Sequence, residues 1–111
     1  MTKKSGGIVY LICDASQDLY KIGMTKGKIE KRIKALQTGN ATELFVIHTH
    51  QTQYPFCVEG MLHRRFQHKQ ILNEWFELTP EDVKQFSDNC MQCEETIETM
   101  KDNPFFQKYL K

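Results

Sequence analysis

Apolar and polar positions near the start of the chain follow a strand-like pattern. Two short apolar runs, residues 8–13 and 19–23, flank a polar turn made of Asp, Ala, Ser and Gln. Runs rich in Val, Ile and Tyr on either side of such a turn are typical of a β-hairpin. Both predicted strands also carry polar-tipped side chains, namely Tyr10, Tyr20 and Lys21. The pattern therefore predicts a hairpin that presents polar groups from otherwise apolar strands.

The period of the pattern changes after the hairpin. Apolar residues recur every three to four positions over residues 28–37, which predicts a helix that ends before Gly39. The apolar run at residues 44–49 predicts a third strand. Residues 56–68 predict a second helix, and residues 71–78 predict a short strand or an extended segment.

The last third of the chain predicts a further helix with a well-defined start. Thr79 has the properties of an N-cap, Pro80 suits the first helical position, and two acidic residues follow in the first turn. Apolar residues then recur at alternating steps of three and four, the pattern of an a/d seam. The seam consists of Val83, Phe86, Cys90, Cys93, Ile97 and Met100, and an apolar tail containing Tyr109 and Leu110 follows it.

These elements predict a single α+β domain. We expect residues 1–79 to form a small antiparallel sheet of about three strands, flanked by two helices. Residues 80–111 would be a helical extension that packs on the same domain or mediates homodimerisation.

Length and composition favour an intracellular protein. The 111 residues are enough for one domain with one core. No apolar run approaches the roughly 20 residues that span a bilayer, and the first residues have no signal-peptide pattern. The four cysteines are therefore expected to be free thiols. Cys90 and Cys93 have the spacing of zinc ligands, but no second ligand pair follows them, so we assign both to the apolar seam.

The charge is unevenly distributed, although the net charge is only +1. Residues 1–70 carry a net charge of +6 and residues 71–111 carry −5. A basic half suits a phosphate-rich partner, although ordinary solvated charge gives the same count. On a helical wheel, Arg32 and Glu59 fall at the rims of their apolar arcs, with His63 one turn after Glu59. Both charges should therefore point along the protein surface toward the sheet.

The order of these residues resembles the GIY-YIG nuclease superfamily. The resemblance rests on Gly-x-Val-Tyr, then Tyr-Lys-Ile-Gly, an Arg in the next helix, a Glu in a later helix, and Glu-Trp-Phe, and it covers about residues 7–79. It is greatest to the small branch common in phages and large DNA viruses. The resemblance implies a metal-dependent endonuclease that hydrolyses DNA phosphodiester bonds and uses Mg²⁺ or Mn²⁺.

The resemblance also implies a role for each matching residue. Tyr10 would help to activate the attacking water, Arg32 would contact the scissile phosphate, and Glu59 would hold the metal. Gly23 matches the closing glycine, and Lys21 takes the place of the second half-motif's tyrosine. We expect nearby cations to lower the pKa of Tyr10, with Lys21 as an alternative proton acceptor.

Two departures from the family pattern leave an alternative open. Leu36 occupies the position where many members carry a tyrosine or histidine, and Val9 is inserted before the first tyrosine. The alternative is a nucleic-acid-binding module that keeps the scaffold without catalysis. A third hypothesis is a protein-interaction domain that acts through the acidic tail and the seam that contains Cys90 and Cys93.

Hairpin register decides which polar side chain accompanies Tyr10. Side chains alternate along a strand, so Tyr20 and Lys21 face opposite ways, and a slip of one residue exchanges them. We predict Lys21 in the site and Tyr20 in the core, with His63 either a supporting residue or an ordinary surface histidine. Candidates for contacts with a nucleic-acid backbone are Lys26, Lys28, Arg64, Arg65 and Lys69.

Overall fold

The computed structural model describes residues 6–107, which form an antiparallel sheet with helices on both faces. In chain order the elements are β1 (Gly7–Asp14), β2 (Leu19–Thr25), α1 (Ile29–Thr38), β3 (Leu44–Thr52), α2 (Pro55–Arg65), β4 (Gln70–Leu72), β5 (Trp75–Phe76), α3 (Pro80–Lys84), α4 (Phe86–Met100) and α5 (Pro104–Gln107). The strand order across the sheet is β3-β1-β2-β5-β4. The α+β class is confirmed, and the sheet has five strands where the sequence predicted about three.

The two additional strands form a small hairpin where the sequence predicted a single short strand or an extended segment. β4 and β5 contain only three and two residues. Asn73, between them, has a φ of 54°, which suits the tight turn that joins such short strands. β5 then pairs with the start of β2, opposite Tyr20 and Lys21. Strands this short carry no alternating pattern, so the hairpin could not be predicted from the sequence.

Several boundaries differ from those predicted, and β3 continues through Thr52 where the predicted run ended at residue 49. β2 continues through Thr25, whereas the apolar run that predicted this strand ends at residue 23. α2 ends at Arg65 and a short 3-10 helix, Gln67–Lys69, follows it. The predicted C-terminal helix is divided at Gln85 into α3 and α4.

The ends of the C-terminal extension also differ in part from the prediction. The Thr79 cap is confirmed, because its hydroxyl accepts from the Asp82 N–H while the Asp82 carboxylate accepts from the Thr79 N–H. Pro104 begins a short helix where the sequence predicted a tail. Tyr109 and Leu110 of that predicted tail lie outside the described residues.

The sheet separates two clusters of buried side chains. On one face, which we call the α2–α4 face, Val9, Leu11 and Ile22 pack with apolar residues of α2 and α4. On the other, the α1 face, a smaller cluster joins α1 to residues of three strands. The fully or nearly buried members of this smaller cluster are Tyr10, Ile12 and Leu44.

The apolar seam of α4 is buried within the domain. Phe86, Cys90, Cys93 and Ile97 are all buried against the α2–α4 face. The four cysteines are free, as predicted, and burial raises the pKa of Cys90 to about 12. A homodimer would therefore need a surface other than this seam. Within residues 6–107, no helix is both long and apolar enough to cross a bilayer.

Candidate functional site

The register of the β1–β2 hairpin places Tyr10 and Lys21 on the same face. Tyr10 lies opposite Gly23, and Ile12 lies opposite Lys21. Residues directly opposite each other in an antiparallel pair point to the same side of the sheet. Tyr10 and Lys21 therefore both face α1, whereas Tyr20 packs against the core of the α2–α4 face. Lys21 was predicted to lie in the site and Tyr20 in the core, but the register of the hairpin could not be determined from the sequence.

Gly23 allows the ring of Tyr10 to lie flat across β2. A Cβ atom at Gly23 would lie 2.5 Å from Tyr10 Oη and 2.6 Å from Tyr10 Cζ. Real Cβ atoms do not approach other atoms so closely, so any side chain here would displace the ring. The glycine of the Tyr-Lys-Ile-Gly segment is thus explained by close approach of a side chain, and not by an unusual backbone angle.

The hydroxyl of Tyr10 fixes the side chain of Arg32. Tyr10 is completely buried, and its Oη accepts a hydrogen bond of 3.1 Å from Arg32 Nε. Because only Nε is engaged, both Nη groups of Arg32 have no hydrogen-bond partner among residues 6–107. The guanidinium is partly exposed and held at one end.

Burial raises the pKa of Tyr10, and the hydrogen bond from Arg32 only partly opposes this effect. The expectation of a lowered pKa is therefore wrong in its net direction. Desolvation of the phenolate outweighs the neighbouring guanidinium. Tyr10 is a neutral phenol at neutral pH in the metal-free protein.

Lys21 is paired with Glu74, a residue whose role the sequence did not assign. Lys21 Nζ lies 2.7 Å from Glu74 Oε1, and the Lys21 side chain is only 12% exposed. The same Nζ lies 5.7 Å from the centre of the Trp75 ring, within cation–π range. Glu74 was visible in the sequence beside Trp75, but its contact with Lys21 depends on the β4–β5 hairpin.

Part of β2 lacks a neighbouring strand on the side away from β1. β5 pairs with β2 only at Tyr20 and Lys21. Next along β2, the Ile22 N–H donates to the Glu74 carbonyl at 3.2 Å. Beyond this point no strand of the described chain covers residues 23–25 on that side. We call this stretch, residues 23–25 of β2 together with the Ile22 carbonyl that precedes it, the open edge.

His63 reaches the open edge from α2. Its Nε2 lies 2.7 Å from the Ile22 carbonyl oxygen, so Nε2 carries a proton and donates. Its ring also packs edge-on against Phe76, with ring centres 5.1 Å apart. His63 is therefore held by two contacts and joins α2 to β2 and β5.

Glu59 lies one turn before His63 on α2. It is partly buried, and its carboxylate has no hydrogen bond or ion pair with any residue in the described part of the chain. Burial raises its pKa, and Glu74 adds to the increase, while His63, Lys21 and Arg32 oppose it. Glu59 also acts electrostatically on Tyr10 and Arg32.

The four residues predicted to be catalytic are thus brought together at the open edge. Tyr10, Lys21 and Arg32 approach from the α1 face, and Glu59 approaches from α2, which packs on the opposite face. Glu59 can approach the other three because no strand in the described part of the chain covers β2 beyond Ile22 on this side.

The donor set at the open edge suits a hard divalent cation better than zinc. Across residues 6–107, no group of three or more His, Cys, Asp and Glu side chains is arranged to hold a metal. Structural zinc requires four protein ligands, whereas Mg²⁺ is commonly held by one or two carboxylates with water filling the other positions. The carboxylate of Glu59, which has no hydrogen bond or ion pair with the described residues, fits the second description.

Four of the five predicted backbone-binding residues are exposed. Three of these four have side chains that make no hydrogen bond or ion pair within residues 6–107. Of these three, Lys26 and Lys28 lie between β2 and α1, directly after the open edge, and Arg64 lies on α2.

The other two cations have contacts within the protein instead. Arg65 Nη1 donates to Asn89 Oδ1 at 2.6 Å, which joins α2 to α4. Lys69 forms an ion pair with Asp82 at the start of α3. The structure therefore gives Arg65 and Lys69 a role in holding the C-terminal helices, which the sequence did not indicate.

Comparison with known proteins identifies a family. Residues 7–92, which are more than two thirds of the chain, match the model of the T5orf172 domain and extend past residue 79 into α4. No curated protein and no solved structure matched the chain. The match and the arrangement at the open edge agree, and the chain belongs to the T5orf172 domain family, a GIY-YIG-like, nuclease-associated family of phage origin.

Proposed function

We propose that this protein is a divalent-metal-dependent endonuclease that hydrolyses phosphodiester bonds in DNA. The observation that carries the proposal is the meeting of Arg32, Lys21 and Glu59 at one open edge, from elements on opposite faces of the sheet. Family membership supports a nuclease-like or DNA-binding module. The chemistry follows from what each side chain has available.

Arg32 would bind the phosphate that is cut. Its Nε is occupied by Tyr10, so both Nη groups remain for the phosphate oxygens. A planar guanidinium binds two oxygens at once, and it stabilises charge that develops on them during hydrolysis. Tyr10 is then a positioning residue that sets the orientation of this group.

Glu59 would hold Mg²⁺ or Mn²⁺. A bound divalent ion supplies Lewis-acid stabilisation of the phosphate and lowers the pKa of a bound water. A partly buried carboxylate without a partner is an unfavourable arrangement unless a cation binds it. Glu59 therefore has a physical reason to recruit a cation.

Lys21 would add positive charge beside the phosphate. Its ion pair with Glu74 requires the ammonium form, so the amine is not free to accept a proton. Tyr10 is also a neutral phenol because burial raises its pKa. Neither side chain is the base in this proposal, which revises the roles that the family resemblance implies for them.

Cleavage of a supercoiled plasmid tests the proposal. We expect nicking by the wild type with Mg²⁺ or Mn²⁺, none with EDTA, and at least a hundredfold slower cleavage by Glu59→Gln. Glu95→Gln is the matched control, because Glu95 is exposed on α4 and its carboxylate makes no hydrogen bond or ion pair within residues 6–107. Equal rates for wild type and Glu59→Gln would overturn the metal-dependent mechanism.

A DNA-binding module without catalysis is the second candidate. It is favoured by the complete burial of Tyr10, whose hydroxyl is already engaged by Arg32. In that case the wild type would bind DNA with a steep salt dependence, yet no divalent ion would support nicking.

A further inference from the structure

We infer that DNA lies along the exposed face of α1, where Lys28, Lys31 and Lys34 contact successive phosphates of one strand. We call these three residues the lysine stripe. The inference rests on the proposed function, since it extends the phosphate site at Arg32 into a longer binding surface. Lys31 and Lys34 have no role in the site described above.

The lysine stripe stands out by the absence of partners. The structure engages most other cations in the described chain: Lys21 with Glu74, Arg32 with Tyr10, Arg65 with Asn89, Lys69 with Asp82, and Lys101 with Glu98. In contrast, all three lysines of the stripe, with Lys26 before them, are exposed and have no ion pair within residues 6–107. Cations kept in solvent without partners are available to a polyanion.

The one acidic residue of α1 does not neutralise the stripe. Glu30 is exposed and stands four residues before Lys34, the spacing at which helical ion pairs form. No ion pair joins the two within 4.0 Å. The positive potential of this face is therefore not cancelled locally.

The spacing of the stripe matches a nucleic-acid backbone. Its members are three residues apart, so each is turned about 60° from the last, and together they cover about 9 Å along the helix. One DNA strand advances about 3.4 Å per nucleotide along the duplex axis, so this length corresponds to two or three phosphates. Arg32 lies on the same helix, which makes the stripe continuous with the proposed phosphate site.

The same face lacks the large apolar residues that an acidic membrane surface or an acidic protein would require. The exposed side chains of α1 outside the stripe are Glu30, Ala35 and Thr38, and none of the exposed large apolar residues lies on this helix. Membrane-surface helices and protein interfaces need large apolar or aromatic anchors. This face therefore suits a partner that carries negative charges at regular intervals and is recognised by charge alone.

Binding of a 20-base-pair duplex DNA in EDTA, measured by fluorescence anisotropy between 50 and 200 mM salt, tests the inference. We expect Lys31→Gln/Lys34→Gln to bind roughly ten- to a hundredfold more weakly at 50 mM salt. The slope of log K against log salt should fall by roughly 2, because two phosphate contacts are lost. Exposed Lys→Gln changes in a helix preserve helix propensity, so the variant should fold.

Lys84→Gln/Lys101→Gln is the matched control, since it removes the same charge from α3 and from the residue that follows α4. Its slope should stay within about 0.5 of the wild type. Equal losses in both double variants would show that only net charge matters and would overturn the stripe. If Lys31→Gln/Lys34→Gln bound DNA as tightly as the wild type, the stripe would also be overturned, while the nuclease proposal would stand. No binding by the wild type at 50 mM salt would overturn both.

Discussion

The two faces of the sheet differ in what they bury. The α2–α4 face packs thirteen buried residues from the strands and helices into one cluster without a charged member. The buried apolar cluster of the α1 face contains only Tyr10, Ile12 and Leu44, and the other side chains of this face include Lys21 and Arg32. The first face supplies most of the stability, and the second has room for polar groups. The candidate site lies where the second face meets the open edge.

Among single substitutions, we expect the largest loss of stability on the α2–α4 face. Leu62 is completely buried there, so Leu62→Ala leaves a cavity and should lower the free energy of unfolding by about 2–5 kcal/mol. Urea unfolding at pH 7 measures it. Met91→Ala is the control, because Met91 is exposed on α4 and should change stability by less than about 0.5 kcal/mol. A loss below about 1 kcal/mol at Leu62 would contradict the assignment of the main core.

Gly23→Ala should damage both stability and function. The new methyl group would overlap the Tyr10 ring, which must move and release Arg32. We expect a loss of about 1–3 kcal/mol in urea unfolding and at least tenfold slower plasmid nicking. Gly39→Ala is the matched control, since a Cβ there meets no atom within 4 Å. Wild-type nicking by Gly23→Ala would argue against the Tyr10–Arg32 contact as a functional element.

Tyr10→Phe separates positioning from proton transfer. The change removes the acceptor for Arg32 Nε and should cost about 1–2 kcal/mol, with nicking about tenfold slower. Because Tyr10 is not the base in this account, the shape of the pH–rate profile should be retained. Tyr54→Phe is the control, as it loses a hydrogen bond to Glu98 on α4 instead. Loss of a titrating limb in Tyr10→Phe would assign the proton transfer to Tyr10.

The smallest expected effect is a gain in stability when the charge of Glu59, beside the open edge, is removed. The pKa of Glu59 is higher in the folded protein, so the unfolded chain releases this proton first as pH rises, and stability falls between the two pKa values. Without metal at pH 7, Glu59→Gln should therefore stabilise the protein by roughly 0.5–1 kcal/mol. The gain should vanish below about pH 4, where the carboxyl is protonated in both states. Thermal unfolding in EDTA at pH 7 and pH 3.5 measures it, and a loss of stability at pH 7 would contradict the unpartnered carboxylate.

Much of the fold could be predicted because its signals are local. The first hairpin, the helix before Gly39 and the Thr79 cap each depend on neighbouring residues, and all three are present. The β4–β5 hairpin was missed because its strands are too short to show a period. The break at Gln85 was missed because the a/d seam runs on from Val83 without interruption.

The site was predictable only as a set of residue types. Rim positions on two helices indicated that Arg32 and Glu59 point toward the sheet, but their meeting depends on where β5 ends along β2. The pKa of Tyr10 was predicted in the wrong direction because its complete burial is a property of tertiary packing. Asp14 was seen only as part of a turn, yet it is buried and accepts a 2.7 Å hydrogen bond from Thr42, 28 residues later.

Paramagnetic broadening by Mn²⁺ is the most direct test that the open edge is one cation site built from both faces of the sheet. On adding substoichiometric Mn²⁺, the backbone amide signals of Gly23, Arg32 and Glu59 should broaden together, and this should persist in Glu95→Gln. The broadening should disappear in Glu59→Gln. Broadening confined to the acidic residues of α4, or unchanged in Glu59→Gln, would contradict the account.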